Sequence, residues 1–348
     1  MSDSLDQLRR LVSTASVSGG EEAVAGELEG VMRDSGLKPE RLGRNVFARL
    51  GEGGKTLLLV SHLDTVPVGE GWTKPADGSL VEDGKLYGRG SNDAKGCLTA
   101  MVLGAARAYA KDAPAGRVIV AASCEEETSN KGIAELLPHL GAVDAAVVGE
   151  PTGLEPAVAQ KGLLLLHVTS KGRAAHAAWG VGVNAVHAAA KDIVALSETK
   201  FDREHAVLGF PSLQVTQVEG GTRHNVIPDR CRLVVDIRTT PSYAPAELVA
   251  LVRGRVKGEV EVRSERIKSV DVDPGHPVVR AAMAARPGAK AFGSPTVSDW
   301  AFLSGIPAVK AGPGDSRRSH TADEWLGVSE LEEGVLYYEN LIRRYHAG

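Results

Sequence analysis

The hydrophobic pattern changes character along the chain. Residues 56–60, 118–122, 145–148 and 306–311 are short runs rich in Val, Leu and Ile with little polar alternation, as in strands covered on both faces. Residues 98–110, between the first two runs, carry apolar side chains at helical spacing, so an α/β layered sheet is expected. Residues 18–35 open on Ser18 with Glu21 three positions later, a capping-box pattern. Val24, Leu28, Val31 and Met32 then recur at helical spacing and predict a packed surface helix. A last helix is predicted over 331–345.

The middle third reads differently. Strands are predicted over 163–170, 213–218, 231–238 and 260–265, with helices over 183–196 and 244–252. That order, βαββαβ, is the ferredoxin-like pattern. The α/β pattern resumes after about residue 270. The expected fold class is therefore α/β: a mixed-sheet catalytic domain with helices on both faces, from residues 1–160 and 268–348, interrupted by an inserted domain over residues 161–267. No internal repeat or low-complexity segment is present.

Composition narrows the function classes. A length of 348 residues suits about two domains. No apolar run approaches the ~18 residues that cross a bilayer, so no membrane partner is expected. The first ten residues, MSDSLDQLRR, are polar, and Cys97, Cys124 and Cys231 are too few for a disulfide framework; a cytoplasmic location is expected. A net charge of -4, with Lys and Arg dispersed, offers no stripe to neutralise phosphates and excludes nucleic acid as a partner.

Candidate chemistry follows the apolar strands. The first leads into His62 and Asp64 of SHLDTVP, the second into Glu125, Glu126 and Glu127, the third into Glu150 of GEPTG, and the fourth through a glycine loop to His320. Ligands bind outside the carboxyl ends of strands in open α/β sheets, so four segments deliver His and carboxylate groups to one rim. Asp93, in the loop GRGSNDAKG, joins them. A lone His after a strand is ordinarily structural and a Glu run ordinarily solvated. Two His with three carboxylates are instead what a pair of borderline metals requires. No candidate ligand is Cys, which argues against a purely structural zinc site.

The motifs SHLDTVP, GRGSNDAKG, the Glu run, GEPTG and SHTADE resemble, in order and spacing, the family of aminoacylases, acetylornithine deacetylases, succinyl-diaminopimelate desuccinylases and glutamate carboxypeptidases. The resemblance spans nearly the whole chain. It implies two zinc ions, with cobalt or manganese as substitutes, and Asp93 as the bridging carboxylate. His62 and Glu150 then complete one ion, and Glu127 and His320 the other. Asp64 would accept the second N–H of His62. A cis peptide is expected between Asp93 and Ala94. Glu126 is the implied general base, passing a proton from the attacking water to the leaving amine. Glu125 stands where the family usually has Asp, so a register with Glu125 as base and Glu126 as ligand stays open; Gly132 at its usual distance favours the first.

The resemblance also covers the inserted domain. His176 of GRAAHAAWG would cross a dimer interface to stabilise negative charge in the partner's site. Its alternative is a surface-loop His. Asn225 of GGTRHNVIP would lie near the reacting centre. Arg238 of VDIRTTP would grip the substrate carboxylate through its planar fork, or only pair with a nearby acid. His167 and His187 read as structural. A homodimer through the inserted domain is implied. GSPTVSDWAFL and AGPGDSRRSHTADEW look closest to deacetylases of arginine biosynthesis, which implies a small N-acyl amino acid substrate, N-acetylornithine first. Arg317 and Arg318 could instead select a carboxylate on the acyl group, and Asp299 or Asp315 could meet the cationic end of ornithine; solvated loop charges are the alternative. Succinylornithine, acetylcitrulline, acetyl-lysine and succinyl-diaminopimelate remain alternative substrates. A di- or tripeptidase, a carboxypeptidase and a catalytically silent amino-acid-binding protein are the other readings.

Overall fold

The computed structural model describes residues 3–110 and 112–348, which divide into two compact units. The first comprises its described residues up to Val158, with Val272–Phe292 and Ser298–Gly348. The second comprises Ala159–Asp271 and Gly293–Val297, the short return segment being one that the sequence pattern left with the first body.

The sheet of the first unit runs through strands Pro39–Leu42, Asn45–Leu50, Arg117–Ser123, Thr56–His62, Ala145–Val148 and Ala308–Lys310, in that spatial order. The last four are parallel to one another where they pair, and the first two join antiparallel. Alternation explains the unbroken apolar runs. Leu57 and Leu59 enter the main core with helices Gly96–Ala110 and Val328–Ala347, while Leu58 and Val60, facing the opposite way, are equally buried. Helix Lys131–Leu140 contacts strand Arg117–Ser123 and buries Ile133 and Leu136.

Gly96–Ala110 is buried nearly all round, and small side chains let it approach the C-terminal helix closely. A Cβ at Gly104 would fall 2.8 Å from the Tyr338 Cβ and 2.9 Å from the Val335 carbonyl oxygen. The parallel run at 306–311 shortens to Ala308–Lys310 because Pro307 has no N–H to add to the ladder.

Two local expectations are corrected. The second helix is Glu22–Asp34, with Glu21 at its N-cap and no side-chain cap bond. Ser18 instead donates to Asp64 Oδ2 at 2.6 Å, so a long-range partner takes the hydroxyl that the local pattern assigned to capping. An N-terminal helix, Asp3–Ser13, was not predicted, although its buried Leu5, Leu8, Leu11 and Val12 recur at helical spacing. A small antiparallel sheet of Asp77–Glu82, Lys85–Gly88 and Trp325–Gly327 was also unforeseen.

In the second unit an antiparallel sheet orders Ser212–Gly220, Arg230–Thr239, Gly162–Lys171 and Glu259–Ile267, with helices Ala185–Ser197 and Pro245–Arg255. Chain order and spatial order together are those of a ferredoxin-like βαββαβ unit. Leu164, Leu166 and Val168 alternate into its core against Leu233, Val235 and Leu248. Asn184 caps the first helix by accepting N–H bonds from Val186 and His187, and Pro245 opens the second.

Candidate metal centre

Parallel pairing aligns the carboxyl ends of the first unit's central strands. His62 pairs in register with Ser123, Val60 with Val148, and Lys310 with Val148. The residues just beyond, at 123–127, 149–150 and 311–320, therefore leave the sheet on one rim.

His62, Asp93 and Glu127 each offer a ligand atom, all within 4.8 Å of one another. His62 Nε2 lies 3.2 Å from Asp93 Oδ1 and 4.0 Å from Glu150 Oε1. His320 Nε2 lies 2.9 Å from Glu127 Oε1 and 3.6 Å from Asp93 Oδ2. The two oxygens of Asp93 thus face different histidines. The Asp93–Ala94 peptide is cis. His62 Nδ1 is 2.9 Å from the Asp64 carbonyl oxygen but 3.6 Å from its carboxylate. The backbone, rather than the side chain expected from the sequence, accepts the closer bond.

The Asp64 carboxylate organises the glutamate run. Its oxygens accept the N–H groups of Glu126 and Glu127 at 3.0 and 3.1 Å. Glu125 turns away in a left-handed conformation with φ 55, pairs with Arg44 and receives the Ser129 hydroxyl. Glu126 and Glu127 are the members directed towards the centre, where Glu126 interacts electrostatically with His62, Glu150 and Glu127. Gly132 closes the run against strand end 124: a Cβ there would lie 2.3 Å from the Cys124 carbonyl oxygen.

Carboxylates outnumber cations here. Burial pushes the Glu126 carboxyl well above its ordinary range, reinforced by Glu150, Asp299 and Glu127 against the pull of His62. Burial and then the negative Asp93 push Glu150 up to about 8. Asp93 is itself buried, but His62 holds it below the usual range. Burial opposes charge on His62, yet Asp64, Asp93 and Glu126 outweigh it and raise its pKa well above normal. Glu127, accepting a hydrogen bond from His320, raises the pKa of that imidazole. A divalent cation would relieve this crowding, and imidazole with carboxylate is a donor set that suits one.

Several neighbours were not singled out by the sequence. Glu324, four residues after His320, is 1% exposed and accepts three N–H bonds from the loop that carries Asp93. Lys310, also 1% exposed, lies close enough to Glu150, Glu126 and Asp93 to interact with their charges, although burial lowers its pKa. A single Lys within an apolar run was its only signal. Asp299, considered for a substrate cation, is 2% exposed, and its oxygens accept from Ser123 Oγ at 2.6 Å and Asn130 Nδ2 at 3.1 Å. It ties together the two ends of the glutamate loop. Asp315 and Arg317 pair with each other, and Arg318 is held by Glu330 through both terminal nitrogens and stacks on Trp325.

The second unit brings two of its candidates together. His176 pairs in register with Val226, so Asn225 is adjacent, and the Asn225 carbonyl accepts the Ala177 N–H at 2.9 Å. Both side chains are on exposed residues. His176 Nδ1 accepts the Ala178 N–H at 3.2 Å, which leaves its Nε2 free to donate. Arg238 is half-exposed and forks onto Asp236, its neighbour on the same strand face, with bonds of 3.0 and 3.3 Å.

Known proteins resemble this chain over most of its length. The sequence profile described as Peptidase family M20/M25/M40 matches residues 58–344. An acetylornithine deacetylase of Proteus mirabilis is 29% identical over 94% of this chain and 93% of its own length. A succinyl-diaminopimelate desuccinylase of Xanthomonas oryzae pv. oryzae is 31% identical over 99% of both. Among solved structures, an M20 family metallo-carboxypeptidase of Sulfolobus solfataricus superposes with a TM-score of 0.80 at 19% identity, covering 100% of both chains. With the profile match running from strand Thr56–His62 into the last helix, this hydrolase chain belongs to peptidase family M20/M25/M40.

Proposed function

We propose that this protein is a two-metal amidohydrolase that removes the acyl group from the nitrogen of an amino acid, with N-acetylornithine as its first substrate. The observation that carries the reading is Asp93, whose Oδ1 faces His62 at 3.2 Å and whose Oδ2 faces His320 at 3.6 Å. A carboxylate so placed can be shared by two ions, one completed by His62 and Glu150 and the other by Glu127 and His320. Zinc suits these ligands, and cobalt or manganese can replace it. Bound there, the ions supply Lewis-acid polarisation of the amide carbonyl and a lowered pKa for water.

The chain's own groups do the rest. Glu126 takes a proton from water as its oxygen adds to the carbonyl carbon, and returns it to nitrogen as the C–N bond breaks. The products are a carboxylate and a free amine. His176 is assigned to the developing oxyanion, acting on the centre of a partner copy in a homodimer, and Asn225 to substrate binding near the reacting centre. Arg238 is assigned to the substrate carboxylate, for which it exchanges its bond to Asp236.

The bidentate Glu330 contact on Arg318 supports an uncharged acetyl group over a succinyl group, because it occupies a fork that would grip a second carboxylate. A hydrolysis screen with defined metals tests the reading. N-acetylornithine should give the highest kcat/KM among acetylornithine, succinylornithine, acetylcitrulline, acetyl-lysine and succinyl-diaminopimelate. Faster cleavage of di- or tripeptides would select a peptidase instead, and no hydrolysis with zinc, cobalt or manganese would select a silent binding protein.

A further inference from the structure

We infer that Glu324 is a positioning residue of the metal centre, acting through Arg89 and through the backbone of the loop that bears Asp93; the inference rests on the two-ion reading above. Glu324 Oε1 accepts the N–H groups of Gly90, Asn92 and Asp93, each at 3.0 Å. Its Oε2 receives Arg89 Nη1 at 2.5 Å. All the hydrogen bonds of this carboxylate therefore go to one five-residue stretch, 89–93. Gly90, at φ 85, curls the N–H groups round the oxygen, a conformation in which backbone forms an anion-binding concavity. A Cβ at Gly90 would come within 2.7 Å of Thr65 Cγ2, so the curl has little space to relax.

The same clamp locates His320. The Glu324 carbonyl accepts the Gly88 N–H at 2.9 Å. Asn92 bonds to the Asp315 backbone at 3.0 and 3.1 Å. His320 and Asp323 both adopt left-handed conformations, so the segment between these ties is a tight turn. The loop carrying Asp93 and the turn carrying His320 are thus joined on both sides of the gap between Asp93 Oδ2 and His320 Nε2. Glu324 sets that gap without reaching a ligand atom itself.

A Gln at 324 keeps an acceptor but loses the charge opposite the buried guanidinium, so the clamp loosens while the fold has an isosteric side chain. The test compares wild type, Glu324→Gln and Asp323→Asn. The Asp323 carboxylate bonds to Thr73 and Lys74 rather than to the loop, and Asn tolerates its left-handed backbone, which makes Asp323→Asn the control. In metal-free protein, the amides of Gly90, Asn92 and Asp93 should exchange with solvent roughly tenfold faster in Glu324→Gln and unchanged in Asp323→Asn. In cobalt titrations followed by visible absorption, Glu324→Gln should weaken at least one ion about 10- to 100-fold. In turnover, kcat should fall with little change in KM. Wild-type exchange and wild-type cobalt affinity in Glu324→Gln would overturn the inference. A wild-type protein that takes up no cobalt would overturn the two-ion reading beneath it, a result distinguishable from the first.

Discussion

Glu126 sits among carboxylates in a buried site that raises its pKa, the environment of a residue that takes up a proton more readily than an exposed carboxylate does. Glu126→Gln should leave metal content unchanged by elemental analysis while kcat falls by a factor of about 10² to 10⁴. Turnover retained in that variant would remove Glu126 from the role. Asp299 gives a contrasting case, since it bonds to loop ends rather than to the reacting groups. Asp299→Ala strands the buried amide of Asn130, while the Ser123 hydroxyl keeps the Ser61 carbonyl at 3.3 Å, so the loss should cost about 1–3 kcal/mol, read as a lowered Tm. A Tm equal to wild type would show that the loop ends are held by other bonds. The difference between these two carboxylates was not legible in the sequence. The five proposed ligands and Glu126 each follow a strand or precede a helix in a recognisable motif. Asp299, Lys310 and Glu324 act through contacts with residues far away in the chain, as Glu324 and Asp93 do at a separation of 231.

At the scale of elements, periodicity located the buried strands because both of their faces are covered, leaving a continuous apolar signal. Helix Ala185–Ser197 was legible from helical spacing instead, since Ala185, Ala189 and Leu196 bury one face, and Asn184 marks its start. The helix Asp3–Ser13 and the three short strands near Trp325 were missed, the strands because three to six residues carry too little pattern. The capping box at Ser18 failed because Asp64 competes for the hydroxyl. Glycines show how packing, not propensity, decides an element's tolerance. Gly104→Val drives a branched side chain into Tyr338 and the Val335 carbonyl, and should destabilise by about 1–3 kcal/mol. Gly26 lies in helix Glu22–Asp34 with nothing within 4 Å of a built Cβ, so Gly26→Ala should stabilise by about 0.5–1 kcal/mol. Chemical denaturation of both variants checks the pair, and the same sign of effect in each would contradict the packing argument.

For the whole molecule, the proposed roles fall on residues of both units. The proposed metal ligands and Glu126 lie in the first unit, and His176, Asn225 and Arg238 in the second. If His176 serves a partner copy, mixing Glu126→Gln with His176→Ala, each nearly inactive alone, should restore measurable activity through mixed dimers that hold one intact centre. Additive activity with no gain on mixing would assign His176 to its own chain or to no catalytic role. The account as a whole depends on Asp93 being shared by two ions. Anomalous scattering at the zinc edge from crystals grown with zinc measures this directly. Two peaks are predicted, one between Asp93 Oδ1, His62 and Glu150 and the other between Asp93 Oδ2, Glu127 and His320; a single peak, or peaks away from Asp93, would contradict it.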